Sequence, residues 1–107
     1  MPVLIDRIRL RSIDHRAAFI QWVQEVDYAA CQDLPSVQRF RVFACPGGDG
    51  LDFFEIVEIS SLDAFAADTS SPLFQSLVAR FVELAELGEQ FSGDLLEPGF
   101  ERLERLA

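Results

Sequence analysis

One break in the chain decides the fold, because a helical pattern gives way there to a strand pattern. It reads Asp27-Tyr28-Ala29-Ala30-Cys31-Gln32-Asp33-Leu34-Pro35-Ser36-Val37. Proline cannot continue a helix and disfavours the helical conformation for the residue before it, so Pro35 is expected to end the helix. The same stretch places a carboxylate, a phenol and a thiol near a helix end, which makes it a candidate for chemistry.

Upstream of this break, the pattern predicts a strand and then a helix. Residues 3–11 alternate between two faces, which is typical of a strand. Asp14 is expected to cap the helix. An apolar stripe then recurs at helical spacing through Phe19, Trp22, Val23, Val26, Ala30 and Leu34. On this spacing Asp27 lies at the flank of the stripe and Tyr28 points roughly opposite its centre.

Downstream, the pattern predicts a hairpin, two helical pieces and a last strand. Residues 38–45 and 51–60 alternate and are joined by a Gly-rich loop. A short helix is expected at residues 62–67, and a longer one at 73–87, with Ser71 and Pro72 as its start signal and Gly88 as its C-terminal cap. The last strand is expected within residues 89–97, followed by a short terminal helix over 100–107.

This order of elements is strand, helix, strand, strand, helix, strand. It predicts an α+β fold of the ferredoxin-like type, β-α-β-β-α-β, with one four-stranded antiparallel sheet. At 107 residues the chain is expected to form a single domain over residues 1–107.

The sheet face turned away from the helices is expected to carry both apolar side chains and arginines. We assign to it Val3, Ile5, Phe43, Phe53, Val57 and Ile59, together with Arg7, Arg9, Arg39, Arg41 and Glu55. Glu55 would then lie among arginines of both neighbouring strands, as a cross-strand charge ladder. Such a face is too apolar for solvent and too charged for a monomer core, so we expect a homodimer closed face to face.

Composition restricts the partners. The formal net charge is −9, with nine arginines and no lysine. An acidic chain is a poor partner for nucleic acid or for an anionic membrane. There is no apolar run that resembles a secretory signal or a membrane span, so a cytoplasmic location is expected. Cys31 and Cys45 fit no redox or metal spacing, and with one histidine, His15, no metal site is expected.

The sequence also resembles a known family. The element order and the two-faced sheet are similar to the dimeric α/β-barrel superfamily. The segments that resemble its RedY-like family are Arg7-Ile8-Arg9-Leu10-Arg11, Phe19-Ile20-Gln21-Trp22-Val23, Asp27-Tyr28-Ala29-Ala30-Cys31 and Leu34-Pro35-Ser36-Val37. The resemblance implies a role in making prodiginines and other pyrrole- or indole-derived secondary metabolites, a setting of antibiotic biosynthesis. It further implies a small aromatic ligand, a homodimer, and no obligatory metal or flavin cofactor.

Three residues are candidate catalytic groups, each with a structural alternative. Asp27, partly buried at the flank of its stripe, could serve as acid or base, or could simply pair with Arg16. Tyr28 could hydrogen-bond a ligand, or pack its ring and leave its hydroxyl in water. His15 is the only imidazole and could act at the mouth of a pocket, although a charged helix start is usually solvated.

A substrate pocket is expected between the sheet and the helices. Its predicted substrate-binding residues are Trp22, Phe40, Phe54, Phe74 and Phe81, with Val42 and Ile56 beside them. The leading hypothesis is a cofactor-free tailoring enzyme that condenses, cyclises or dehydrates a small aromatic intermediate. The alternatives are a cofactor-independent monooxygenase and a non-catalytic dimeric carrier that delivers a reactive intermediate to a biosynthetic partner enzyme.

Overall fold

The computed structural model describes residues 1–103, and the elements follow one another in the predicted order. The strands are β1 (Pro2–Leu10), β2 (Val37–Ala44), β3 (Asp52–Ile59) and β4 (Ala85–Asp94). A short 3-10 turn (Ile13–His15) leads into the first helical segment, residues 16–33. That segment comprises α1 (Arg16–Trp22), a π-helical turn (Val23–Asp27), α2 (Tyr28–Ala30) and a 3-10 turn (Cys31–Asp33). Two further helices, α3 (Leu62–Thr69) and α4 (Pro72–Leu84), precede β4.

The four strands form one antiparallel sheet in the order β2-β3-β1-β4. The third strand therefore lies between the first and second, as the ferredoxin-like arrangement requires, and the predicted α+β fold class is confirmed. The turn that ends the first helical segment is held to α3, because Ser36 donates to the Asp68 carboxylate through its backbone N–H (2.8 Å) and its hydroxyl.

The start and the middle of the first helical segment differ from the prediction. Ser12, rather than Asp14, caps the opening turn, since its side chain accepts a hydrogen bond from the Asp14 N–H. In the π-helical turn the N–H of Tyr28 donates to the carbonyl of Val23, five residues earlier. The predicted stripe is broken there: Val26 is 46% exposed, and Asp27 turns towards the sheet instead.

The predicted end of α4 is wrong, although its start is confirmed. Ser71 caps the helix by accepting from the Phe74 N–H, with Pro72 in the first turn. The helix ends at Leu84, and Ala85, fully buried, pairs at once with Leu10 of β1. Gly88 therefore lies within β4 and caps nothing, because strand pairing continues through residues that local propensity would keep helical.

The C-terminal prediction is only partly covered by the structure. Residues 100–103 adopt no regular secondary structure, and the rest of the predicted terminal helix lies outside the described residues. No helix within residues 1–103 has the length and apolar character needed to cross a bilayer.

The hydrophobic core lies between the helices and the inner face of the sheet. It is built around Ile8, Leu10, Phe19, Trp22, Val23, Leu34, Phe53, Leu77, Leu84 and Ala85. Phe53 is paired with Ile8 across β3 and β1, and cross-strand partners share a face, so Phe53, Glu55, Val57 and Ile59 all point inwards. Our assignment of these four residues to the outer face is wrong, and Phe54, Ile56 and Glu58 occupy it instead.

The outer face nevertheless has the expected mixture of apolar and charged side chains. Phe43 and Phe54 stack with their ring centroids 4.9 Å apart. The predicted ladder, with Glu55 among arginines of both neighbouring strands, is not formed. On the outer face Glu58 lies 3.8 Å from the guanidinium groups of Arg39 and Arg41, both on β2, and these three residues form a Glu58–Arg39–Arg41 ladder. These partly exposed ion pairs set register more than stability, since such pairs are each worth about 0–1 kcal/mol.

Candidate active site

A cavity of about 480 Å³ lies between the inner sheet face and the helices. Its lining is mostly apolar and aromatic. The apolar lining residues are Leu4, Trp22, Leu34, Val37, Phe40, Val57, Phe65, Phe74, Leu77, Val78, Phe81, Val82 and Leu87. This volume and lining are typical of a site for a small organic molecule.

Acidic groups line one part of this cavity. Asp6 on β1 is the direct cross-strand partner of Glu55 on β3 and of Gln90 on β4, so the three side chains form one row across the sheet. Asp27 enters the same cavity from the first helical segment, and the Cys31 thiol lies one turn further along. Three carboxyl groups from three different elements therefore meet at one cavity.

The π-helical turn explains how Asp27 reaches the cavity. At regular α-helical spacing the residue four positions after Trp22 would be Val26; the extra residue in the π turn brings Asp27 to that side. Asp27 is then in phase with Cys31, whose thiol donates to the Asp27 carbonyl at 3.6 Å. The alternative pairing of Asp27 with Arg16 is not formed, because the Arg16 guanidinium stacks over the Phe53 ring, 5.2 Å from its centroid.

Burial shifts the pKa values of Glu55, Asp27 and Cys31 upwards, and the charges of neighbouring acids add to the shifts of Glu55 and Cys31. Desolvation, followed by the charge of Asp6, a hydrogen bond with Asp6 and the charge of Asp27, raises the pKa of Glu55 to about 9. Desolvation alone raises the pKa of Asp27 to about 6. Desolvation and the charges of Asp27 and Glu55 raise the pKa of the Cys31 thiol to about 11.

Two carboxyl groups with separated pKa values can perform two different tasks. At neutral pH Glu55 holds a proton, which it donates to Asp6 in a hydrogen bond. Asp27 is mostly ionised at the same pH. The cavity thus offers one proton donor and one proton acceptor, which is the pattern of an acid–base site.

The cation in the cavity lining is Arg11, at the rim. Arg11 donates to the Val82 carbonyl at 2.6 Å and lies 3.7 Å from Glu86, and all three residues line the opening. Arg11 is therefore already engaged at the rim. Within residues 1–103, no group of three His, Cys, Asp or Glu side chains is arranged to hold a metal ion.

The predicted site residues separate into two groups. Asp27, Trp22, Phe40, Phe74 and Phe81 all line the cavity. The predicted position of Phe54 in the cavity is wrong, because Phe54 points to the outer face, as does its neighbour Ile56.

The other two candidate catalytic residues lie outside this cavity. Tyr28 borders a shallower depression beside the edge strand β2, where its ring meets Phe40 edge-on and its hydroxyl accepts from the Val42 N–H at 3.0 Å. His15 lies in the opening 3-10 turn and lines neither the cavity nor that depression. The geometry thus brings Asp27 to the cavity but neither of these two.

Sequence reasoning missed Asp6 and Glu55 as site residues, although a signal for both was present. Asp6 interrupts the inward-facing series Leu4, Ile8, Leu10, and Glu55 interrupts the series Phe53, Val57, Ile59. A single acid within an otherwise apolar strand face is costly to bury, so it indicates a functional position. Only the strand register shows that the two acids are partners.

Comparisons with known proteins agree with this architecture. A family profile described as REDY-like protein HapK matches residues 2–96. The crystal structure of HapK from Hahella chejuensis is 38% identical, with a TM-score of 0.88, over 95% of this chain and 99% of that one. No curated protein sequence matches the chain.

More distant solved structures share the fold. SnoaB, a cofactor-independent oxygenase from Streptomyces nogalater, is 13% identical with a TM-score of 0.70, over 92% of this chain and 97% of that one. Rv0793 from Mycobacterium tuberculosis is 15% identical with a TM-score of 0.70, over 94% and 100% of the two chains. At these identities the likeness concerns the fold alone, whereas the profile match and the similarity to HapK show that the chain belongs to the REDY-like HapK family.

Proposed function

We propose that this protein is a cofactor-free acid–base enzyme of secondary metabolism. Its substrate would be a small aromatic intermediate of a pyrrole- or indole-derived metabolite, and its reaction a condensation, cyclisation or dehydration at a carbonyl or imine group. The observation that carries the proposal is the meeting of Asp6, Asp27 and Glu55 at one aromatic-lined cavity. Family membership supports the biosynthetic setting.

The proposed roles follow from the protonation states. Glu55, protonated at neutral pH, gives its proton to the substrate's carbonyl oxygen or imine nitrogen as a nucleophilic carbon or nitrogen forms its bond to the adjoining carbon. Asp27 takes the proton that the nucleophile releases. In a dehydration the hydroxyl formed from the carbonyl oxygen then leaves as water with the proton that Asp27 holds. The Glu55 carboxylate takes a proton from the newly bonded carbon or nitrogen as the double bond forms, so both groups return to their starting states. Asp6, beside Glu55, stabilises positive charge that develops on the substrate.

The substrate is proposed to lie flat between aromatic walls. Trp22, Phe74 and Phe81 come from the helices and Phe40 from the sheet. These side chains exclude water from the carboxyl groups, which strengthens their electrostatic effect on the reacting atoms. A small hydrophobic molecule with one polar edge matches this lining.

We also propose that two copies associate through the outer face of the sheet. That face presents Val3, Ile5, Phe43, Phe54 and Ile56 together with the Glu58–Arg39–Arg41 ladder. A two-fold axis would place acidic and basic groups of one copy opposite those of the other, and would cover the apolar side chains.

The test is a product analysis by mass spectrometry. The purified protein is incubated with a mixture of pyrrole and indole carbonyl compounds and nucleophilic pyrroles, and both native and denatured spectra are recorded. The proposal predicts turnover to a product one water lighter than its reactants, or to an isomer with the same mass. A ligand retained unchanged in stoichiometric amount would instead indicate a carrier, and a product heavier by one oxygen atom with oxygen uptake would indicate a monooxygenase.

Matched variants identify the groups responsible. Glu55→Gln and Asp27→Asn keep size and polarity and remove the titrating carboxyl, and each is expected to reduce kcat by about a hundredfold or more. Glu83→Gln, which alters an exposed partner of Arg80, serves as the control and is expected to keep full activity. Full activity in both cavity variants would contradict the proposed mechanism.

A further inference from the structure

The three acids of the cavity have no cation to balance them. In the part of the chain that the structure describes, ion pairs are formed by other acids, namely Asp49, Asp52, Glu58, Glu83, Glu86 and Glu89. Neither Asp6, Asp27 nor Glu55 takes part in any of them. The charged groups that share their cavity are Arg11 and Glu86, and these already pair with each other at the rim.

Asp6 shows this imbalance of charge most clearly. It is only 8% exposed, it lines the cavity, and among residues 1–103 its polar contact is with another acid, Glu55. A buried acid usually receives hydrogen bonds from N–H groups or faces an arginine, because an unpaired buried charge is costly. Because Asp6 lines the cavity, a ligand bound there can supply such a partner.

We propose that the cavity binds a flat aromatic ligand that carries a positive charge on nitrogen, or gains one by protonation, with that nitrogen against Asp6, Asp27 and Glu55. The inference deepens the proposed function and rests on it, because the cation would be the protonated form of the same substrate. When the ligand arrives neutral, one proton moves from the Glu55 carboxyl to the ligand nitrogen. A carboxylate and a cation result, and the total charge of the complex is unchanged.

The walls of the cavity suit such a cation. Trp22, Phe40, Phe74 and Phe81 line the space, and aromatic rings attract cations through their quadrupoles. An anionic ligand of the same shape would meet three acids and no free cation, so it would be rejected by repulsion and by its own desolvation cost. The site therefore discriminates by charge as well as by shape.

The experiment compares three probes of nearly identical shape: naphthamidine, which is cationic, naphthamide, which is neutral, and naphthoate, which is anionic. Affinities are measured by isothermal titration calorimetry at neutral pH with the full chain. We expect naphthamidine to bind at least about tenfold more tightly than naphthamide, since hydrogen bonds between charged groups are stronger than neutral ones. Naphthoate is expected to bind more weakly than both.

Variants locate the effect within the cavity. Asp6→Asn with Asp27→Asn should bring naphthamidine and naphthamide to equal affinity, while Glu83→Gln, outside the cavity, should leave the preference unchanged. Removing unpaired buried charges is not expected to unfold the chain, and circular dichroism of each variant checks this. Equal affinities of naphthamidine and naphthamide for the unaltered protein, a preference for naphthoate, or no measurable binding of naphthamidine would each overturn the inference.

The two proposals fail in different ways. If naphthamidine shows no preference but Glu55→Gln still abolishes turnover of a carbonyl substrate, acid–base catalysis stands and only the charge of the ligand is wrong. If naphthamidine is preferred but no carbonyl compound is turned over, charge recognition stands and the protein is a binder of aromatic cations.

Discussion

Asp6 and Glu55 are two acidic residues that lie directly opposite each other on the central strands β1 and β3. Like charges placed directly opposite in a sheet destabilise it, and burial increases the cost. The pair is tolerated because Glu55, whose pKa is raised to about 9, holds a proton at neutral pH and donates it to Asp6. At the scale of single residues, the site therefore has a cost in stability that the rest of the core must offset, a common arrangement at functional sites.

The pH dependence of stability tests this account. Burial and Asp6 raise the pKa of Glu55 from 4.5 in the unfolded chain to about 9 in the folded one. The folded state thus binds the proton more tightly, and stability is lost as the pH rises through this window. Glu55→Gln lacks this loss and keeps a donor for Asp6. At the upper end of this pH window we expect the variant to be more stable than the unaltered protein, by on the order of a few kcal/mol.

Urea denaturation at several pH values across that window measures the difference. The advantage of Glu55→Gln should shrink as the pH falls and should vanish below 4.5, where the carboxyl is protonated in both states. The control Glu83→Gln changes an exposed carboxyl and should follow the unaltered protein at every pH. An advantage of Glu55→Gln that does not vary with pH would contradict the raised pKa.

The pH dependence of catalysis follows from the same groups. If Asp27 is the base and Glu55 the acid, kcat/KM should rise as Asp27 ionises near pH 6 and fall as Glu55 loses its proton near pH 9. Asp27→Asn should remove the acidic limb together with most of the rate. Initial rates across this range provide the measurement, and a profile with no inflection near pH 6 would argue against Asp27 as the base.

At the scale of elements, the π-helical turn in the first helical segment has the largest effect on the site. It lets the helix present Phe19 and Trp22 to the core and then, after one extra residue, Asp27 and Cys31 to the cavity. Turns of this kind occur mainly as single turns within α-helices and often at functional sites. The same segment also contacts the edge of the sheet through Tyr28.

Tyr28 is expected to act on stability rather than on catalysis. Its hydroxyl accepts from the N–H of Val42. This residue belongs to β2, an edge strand that has β3 on one side and no strand of the sheet on the other. Tyr28→Phe removes this bond and keeps the edge-on contact with Phe40, so the free energy of unfolding should fall by about 1 kcal/mol. Thermal and urea denaturation measure this loss, and the pH–rate profile should be unchanged. A large loss of kcat in Tyr28→Phe would restore Tyr28 as a catalytic candidate.

At the scale of the whole molecule, the sheet has two faces with different tasks. The inner face carries the core and the cavity, and the outer face carries partly covered apolar side chains and the Glu58–Arg39–Arg41 ladder. The proposed homodimer would bury the outer face without entering the cavity. Stable interfaces of this kind bury about 1,200–2,000 Å² in total.

Sedimentation velocity of the purified protein at several concentrations tests the dimer. We expect a dimer, and we expect Ile56→Asp, on the outer face opposite Ile5, to weaken its dissociation constant more than tenfold by placing an unpaired charge in the interface. Ile13→Asp, an exposed position in the opening turn, is the matched control. A monomeric unaltered protein, or equal effects of both substitutions, would contradict this arrangement.

The sequence alone determined the element order and hence the fold class. The alternation of strands, the proline break at Pro35 and the Ser71–Pro72 start signal act over a few residues, so they can be read without knowing the rest of the structure. It also placed four aromatic side chains, Trp22, Phe40, Phe74 and Phe81, at the cavity, because their spacing along the chain reflects the helix and strand faces.

Only the tertiary structure decided which face of β3 turns inwards, where α4 ends and how Asp27 turns to the cavity. Both faces of β3 carry large apolar residues, Phe53 and Val57 on one and Phe54 and Ile56 on the other, so a period of two leaves the inward face undetermined. Pairing with Ile8 settles it, and pairing of Ala85 with Leu10 converts the expected last turn of a helix into a strand. The Asp6–Glu55 pair depends on the same contacts, because strand register joins residues far apart in the chain and no local pattern records it.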